Sequence, residues 1–303
     1  MSLPADYLHY PNRRYGQDID RYYWGLAKDR APITHPQGIA VSAMIVVACE
    51  FHPINPNKDP FNHPHGMITP YPDLRHFTTR DYGNRVGVFR ILRALKAHGL
   101  KATFAVSSDL IGRARPLIDA IIDGGHEIAA AGLNGDAIHH AGLDRDAESR
   151  RIESVRAAFQ AIGLQPETWL SPARQQSPMT PDLLTAHGFK TCLDWEVDQV
   201  PISMRTDHGP LTCLPLHNEL DDFKLLNERK QNEAVWARQI GEACEMLVDE
   251  AQARGWQCFG FGLTPFVSGQ PFRYQALSQI FAGIAADPNC RAETASETAA
   301  LGV

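Results

Sequence analysis

The sequence predicts an α/β chain in which parallel strands curl into a closed or nearly closed barrel. Two observations carry that reading. Short apolar runs alternate with stretches of helical periodicity, giving about seven strand–helix units. Strands separated by helices run parallel with right-handed crossovers, and a row of such units closes on itself. No shift in composition marks a linker, so residues 36–303 read as one barrel domain, preceded by an arm over residues 1–35. The arm carries Tyr7, Tyr10, Tyr15, Tyr22, Tyr23 and Trp24 among polar residues. It is too aromatic for disorder and is expected to wrap the domain or a neighbouring subunit.

Taken in order, residues 39–49 form a continuous apolar run of one buried strand's length. A His- and Pro-rich stretch over 52–79, including His63 and His65, is too long for an ordinary connection and marks a functional or packing loop. Val88, Phe89, Leu92 and Leu95 lie at helical spacing in a helix from Arg85 that His98-Gly99 stops. Residues 102–106 are the second strand, 116–123 a helix, and 124–132 hold the third strand. Residues 144–162 form an amphipathic helix with Ile152, Val155 and Phe159 on its buried stripe. Trp169-Leu170 starts a short strand, 180–187 is a helix capped by Thr180, and 189–195 and 211–216 are strands. The spans 232–254, 256–263 and 273–286 close the series as helix, strand and helix.

Bulk composition narrows the function classes. At 44% hydrophobic and 21% charged the chain reads as an ordinary soluble globule. A formal charge of -6 without a local basic tract argues against nucleic-acid binding. No apolar segment is long enough to span a membrane, and the first residues lack a signal-peptide pattern. Six cysteines without paired spacing point to reduced thiols in a cytoplasmic protein.

If the strands are parallel, their C-terminal tips share one face, where barrel enzymes place their chemistry. Those tips carry Cys49-Glu50-Phe51-His52, Ser107-Ser108, Ala131, Ser171-Pro172-Ala173-Arg174, Asp194-Trp195 with Asp198 beyond, His217-Asn218-Glu219, and Thr264-Pro265. Polar groups converging there would form a pocket for a small molecule.

Several strings then resemble the polysaccharide deacetylase superfamily, and most of all its allantoinase-like and cyclic-imide-hydrolase-like branch. They are Arg80-Asp81-Tyr82-Gly83-Asn84-Arg85-Val86-Gly87, Gly125-His126-Glu127-Ile128, Trp169-Leu170-Ser171-Pro172, Thr180-Pro181-Asp182-Leu183-Leu184, Asp194-Trp195, Asn218-Glu219-Leu220-Asp221-Asp222 and Gly269-Gln270-Pro271-Phe272-Arg273. The resemblance implies a distorted (β/α)7 barrel of the polysaccharide deacetylase type, hydrolysis of a non-peptide C–N bond, and a homo-oligomer. It also implies an Asp-Asp pair after the first strand, a His-x-x-x-His pair after the third and a Leu-His-Pro motif after the last. This chain departs at each: Glu50 is the one carboxylate, Ala131 and Gly135 stand at the histidine positions, and Leu263-Thr264-Pro265 replaces the last motif. A divalent metal needs about three protein ligands. No cofactor is therefore expected, the alternative being a shifted site built from Glu50, His139 and His140 with Asp136.

Glu50 and His52, two apart at a strand tip, would point to one face as a general base with its orienting partner, or would be a loop carboxylate and a histidine opening a turn. Arg174 could steer an oxyanion or make a structural ion pair to Asp194 or Asp198. Cys49, Asn84, Arg85, Trp169, Asp198, Glu219 and Thr264 are the candidate substrate contacts. Against these stand a buried strand thiol, a helix cap with a salt bridge, barrel packing and loop anchors. The expected function is a metal-independent hydrolase of a small cyclic amide, imide or ureide. The alternatives are a repurposed barrel with lyase or isomerase chemistry, and a catalytically silent binding or subunit protein.

Overall fold

The computed structural model of the chain describes residues 19, 21–23, 25–57 and 69–302. Its strands are β1 (Val41–Cys49), β2 (Thr103–Val106), β3 (Glu127–Ala130), β4 (Thr168–Trp169), β5 (Thr191–Cys192), β6 (Ile202–Thr206), β7 (Gly209–Cys213), β8 (Gln257–Leu263) and β9 (Cys290–Ala292). They form one sheet in the order β6-β7-β5-β4-β3-β2-β1-β8, with β9 beside the start of β1. Within that order β7, β5, β4, β3, β2, β1 and β8 pair in parallel throughout. Beyond β7 the chain returns to the far side, where Leu216 bridges Gly260 of β8 in parallel. That rung joins the two ends of the curled sheet, and the fold is the expected distorted (β/α)7 barrel.

The apolar run over β1 is legible because this strand is central: Val41, Ala43, Met44, Ile45, Val47 and Cys49 are all fully buried. Helices pack outside the sheet. The helix Arg145–Gln160 buries Ile152, Val155 and Phe159 as expected, and Asp144 caps it by accepting from Asp146 N and Ala147 N. The helix Glu233–Arg254 is capped by Asn232.

Three expectations need revision. The helix expected from Arg85 begins eleven residues earlier. It runs as Leu74–Tyr82, a π-helical segment Gly83–Gly87, and Val88–His98 without a break. Asp73 starts it by accepting from His76 N, and the first turns escape a hydrophobic reading because their buried residues are His76 and Arg80. Thr180 is not the cap of Thr180–Ala186, since Met179 holds that position. Its hydroxyl instead accepts from Ser177 N and donates to Glu148. Finally, β6 pairs antiparallel with β7, a hairpin that seven-unit alternation does not foresee. It buries Met204 alone fully, so it carries little apolar signal.

Some of the described residues of the N-terminal segment contact the barrel. Arg21 donates to both carboxylate oxygens of Asp182, Arg30 pairs with Asp198, and Ile33 bridges Gly255. The tyrosines at 7, 10 and 15, Trp24, and the loop histidines His63 and His65 lie outside the described residues. Among the described residues, no helix is long and apolar enough to cross a membrane, and the six cysteines are free and buried.

Candidate active site

A cavity of about 460 Å³ opens at the C-terminal ends of the strands, the end at which barrel chemistry is placed. Glu50 and His52 enter it from the tip of β1, with Glu50 Oε2 3.4 Å from His52 Nε2. Extended backbone sends residues two apart to one side, which is why they meet. Asn84 fixes this tip by donating from Nδ2 to the Glu50 carbonyl at 2.8 Å.

Opposite the tip, Arg80 reaches in from the helix Leu74–Tyr82. It is only 6% exposed and donates from Nη1 to His76 Nδ1 at 2.8 Å. Its guanidinium carbon lies 5.0 Å from the centre of the Phe266 ring. Burial brings the Arg80 pKa down to about 10, against the opposing pull of Glu50 and Tyr71, so it stays charged at neutral pH. Burial, then Arg80 and His52, push His76 down to about 4, so it accepts as a neutral imidazole.

The Arg80–Gly87 string reads as a positioning device. A Cβ on Gly87 would lie 2.1 Å from the Pro265 carbonyl oxygen, and one on Gly83 2.6 Å from Phe266 N. The missing side chains let the helix lie directly on the loop after β8, which holds Thr264 and Phe266 at the cavity wall. The π turn between those glycines widens the helix there, and π segments of this kind recur at functional sites.

Arg174 also lines the cavity but is bound on its own side. It donates twice to Asp221, at 3.0 and 2.8 Å, and once to the Leu216 carbonyl at 2.8 Å. Its ion pair is thus with Asp221, rather than with Asp194 or Asp198. Both Ala173 and Arg174 hold positive φ, so the turn that delivers this guanidinium is strained. Asp221 in turn accepts from Gly262 N at 2.6 Å, linking the loop after β7 to β8. Behind it, fully buried Asp222 accepts from Thr264 N and Ser268 N, and burial raises its pKa to about 7. Asp194 accepts from Ser171 N and Gln176 Nε2, and burial raises its pKa as well.

The remaining candidates divide. Thr264 lines the cavity and Asn84 acts through Glu50. Cys49 is fully buried, and burial, with Glu50 beside it, pushes its thiol far above the usual range, which suits core packing rather than nucleophilic attack. Trp169 is fully buried, donating to Ser171 Oγ at 2.8 Å and packing edge-on to Phe189. Arg85 points outward and pairs with Asp81, Asp198 pairs with Arg30, and exposed Glu219 pairs with Arg229; none of the three lines this cavity. His76, Arg80, Asp221, Asp222 and Phe266 were missed as site residues. The signal for the first two was their i, i+4 spacing ahead of Gly83 and Gly87.

A metal does not fit the donor set seen here. Ala131 is buried without a ligating atom, and the His52 imidazole fills the space over Gly135. His139 is tied to buried Glu148 at 2.9 Å, and Asp136 accepts from Asn57 N. Among the described residues, no group of three or more His, Cys, Asp or Glu is arranged to hold an ion.

Fold and site together define a barrel of the polysaccharide deacetylase type, with a polar mouth at the strand ends. Residues 73–191 match the family model described as polysaccharide deacetylase. Solved structures share the fold. Puue allantoinase is 20% identical with a TM-score of 0.79, covering 97% of each chain. A "probable polysaccharide deacetylase" from Pseudomonas aeruginosa PAO1 is 18% identical with a TM-score of 0.77, covering 95% of each chain. A CE4 family pseudoenzyme from Bacillus anthracis is 11% identical with a TM-score of 0.51, covering 89% of this chain and 69% of that one. No curated protein matches the chain in sequence.

Proposed function

We propose that the chain is a metal-independent hydrolase that opens a C–N bond of a small cyclic amide, imide or ureide. The observation that carries this reading is the Glu50–His52 pair, 3.4 Å apart, at the mouth of β1 inside the cavity. Glu50 would take a proton from water as the water oxygen adds to the ring carbonyl carbon. When the C–N bond breaks, the ring nitrogen takes that proton, and the product is an open-chain acid. His52 orients the carboxylate. The structural likeness to Puue allantoinase supports a cyclic ureide or related ring as the substrate class.

The test is turnover of allantoin, hydantoin, succinimide, phthalimide and acetylated sugars, with Glu50→Gln as control. Ring opening of a cyclic compound is expected, slowed about 10²–10⁴-fold in the variant. Equal rates in the variant would remove Glu50 from the mechanism, and turnover of acetylated sugars alone would refute the ring-opening reading.

A second reading, a catalytically silent binding protein, draws on Ala131 and Gly135 and on the likeness to a pseudoenzyme. It expects no turnover of any of these compounds, with ligand binding retained in Glu50→Gln.

A further inference from the structure

The Glu50–His52 pair occupies one side of the cavity, and a second polar point lies where the chain leaves β5. Asp194 lines the cavity there, with β4, β3 and β2 standing between β5 and β1 in the sheet. The other carboxylates lining the cavity each have a basic side chain against them. Glu50 has His52, Glu196 has His217, Asp221 has Arg174 and Glu228 has Lys224. Asp194 differs: among the described residues its partners are donors on Ser171, Gln176 and Cys192, none of them charged. An indole N–H can only donate, so Trp195 Nε1, 2.9 Å from Gln176 Oε1, turns the amide NH2 of Gln176 toward Asp194. Neutral donors orient a carboxylate without cancelling its charge, and its field then reaches into the cavity with little screening. Burial works against the ionised form and raises the Asp194 pKa, a penalty that a cation brought against it would offset.

Resting on the reading of the cavity as a ring-opening site with Glu50 as base, we propose that the substrate is a cyclic amide, imide or ureide carrying a cationic side group, an ammonium or guanidinium, which Asp194 binds while Glu50 works on the ring. A cavity of about 460 Å³ has room for such a ring and its side group together. Gln176 and the Ser171 N–H hold the carboxylate in place, so the subsite is formed before the substrate arrives.

The experiment is calorimetric titration, at neutral pH, of hydantoins carrying an aminopropyl, propyl or carboxyethyl group on their saturated ring carbon. They are titrated into Glu50→Gln, in which ring opening is slow, and into the same chain with Asp194→Asn or Glu196→Gln added, each first checked for a cooperative thermal melt. The aminopropyl compound is expected to bind about tenfold or more tightly than the propyl one, with the carboxyethyl one weakest. Asp194→Asn should remove that preference, while Glu196→Gln, whose carboxylate is matched by His217, should keep it. With Glu50 in place, Asp194→Asn should raise KM for the aminopropyl compound about tenfold or more and leave KM for the propyl compound unchanged. Equal affinities for these two, or a preference that survives Asp194→Asn, would overturn the proposal. Ring opening of both at equal kcat/KM would overturn it while leaving the hydrolase reading intact. A preference that depends on Asp194, without ring opening of any compound, would keep the cation subsite and remove the hydrolase. Should Asp194→Asn fail to melt cooperatively, Glu196→Gln decides: loss of the preference there would assign the cation to Glu196 and refute the proposal.

Discussion

The His52 imidazole occupies the space that a side chain at Gly135 would need. A Cβ on Gly135 would lie 2.4 Å from His52 Cε1 and 2.5 Å from Nδ1. The loop is held there by Gly135 N donating to the Phe51 carbonyl at 2.8 Å. The position where the family resemblance implies a ligand histidine therefore serves as the floor beneath a different histidine.

Gly135→Ala should displace the His52 ring and disturb its contact with Glu50. The expected result is about a tenfold or greater fall in kcat, with destabilisation of about 1–3 kcal/mol from overpacking. Steady-state kinetics and urea unfolding check the two parts. Unchanged kinetics would show that the His52 position is not needed for turnover.

Arg174→Gln tests whether this residue is a brace. Removing the guanidinium leaves Asp221 without its bidentate partner and the Leu216 carbonyl without a donor. Because both side chains are partly exposed, the expected loss is about 1–3 kcal/mol in urea unfolding, below that of a fully buried pair. A variant as stable as wild type would contradict the bracing role.

Asp222 makes stability depend on pH in a direction opposite to most carboxylates. Its pKa is raised to about 7 in the folded chain, from the ordinary 3.8. The folded state thus holds the proton more tightly, so the stabilisation is full below about 3.8 and is lost as pH rises toward 7, by at most about 1.4 kcal/mol per pH unit. Asp222→Asn should flatten this part of the profile. Urea melts across pH 4.5 to 7.5 would show it, and an identical slope in the variant would rule it out.

Gly87→Ala probes the contact that seats the helix. A Cβ 2.1 Å from the Pro265 carbonyl oxygen meets backbone, which cannot move aside as a side chain can. A lower Tm is expected, together with a loss of activity that Gly112→Ala, with open space at its Cβ, should not show.

Much of the barrel was legible because its strongest signals are local. β1 and β8 are apolar runs, and the helices Arg145–Gln160 and Glu233–Arg254 have side-chain caps at their starts. The Glu50–His52 pair was legible for a similar reason, since strand geometry alone brings residues two apart together. Arg80 was not, because the buried residues of its helix are polar and its neighbours Phe266 and Glu50 are distant in sequence. Nor could sequence show that Arg174 turns to Asp221, a choice settled by a strained turn and a carbonyl beyond the end of β7.

The π turn at Gly83–Gly87 has a consequence for how such a site could be gained or lost. A π turn holds one residue more than an α turn, and each residue advances an α-helix by about 100°. Deleting a single residue such as Val86 would let the helix close up, leaving the barrel strands untouched. Everything ahead of it would then swing round by about that angle, carrying Arg80 out of the cavity together with His76, the residue that holds it. One codon thus decides whether a buried guanidinium faces the pocket, on an otherwise unchanged scaffold.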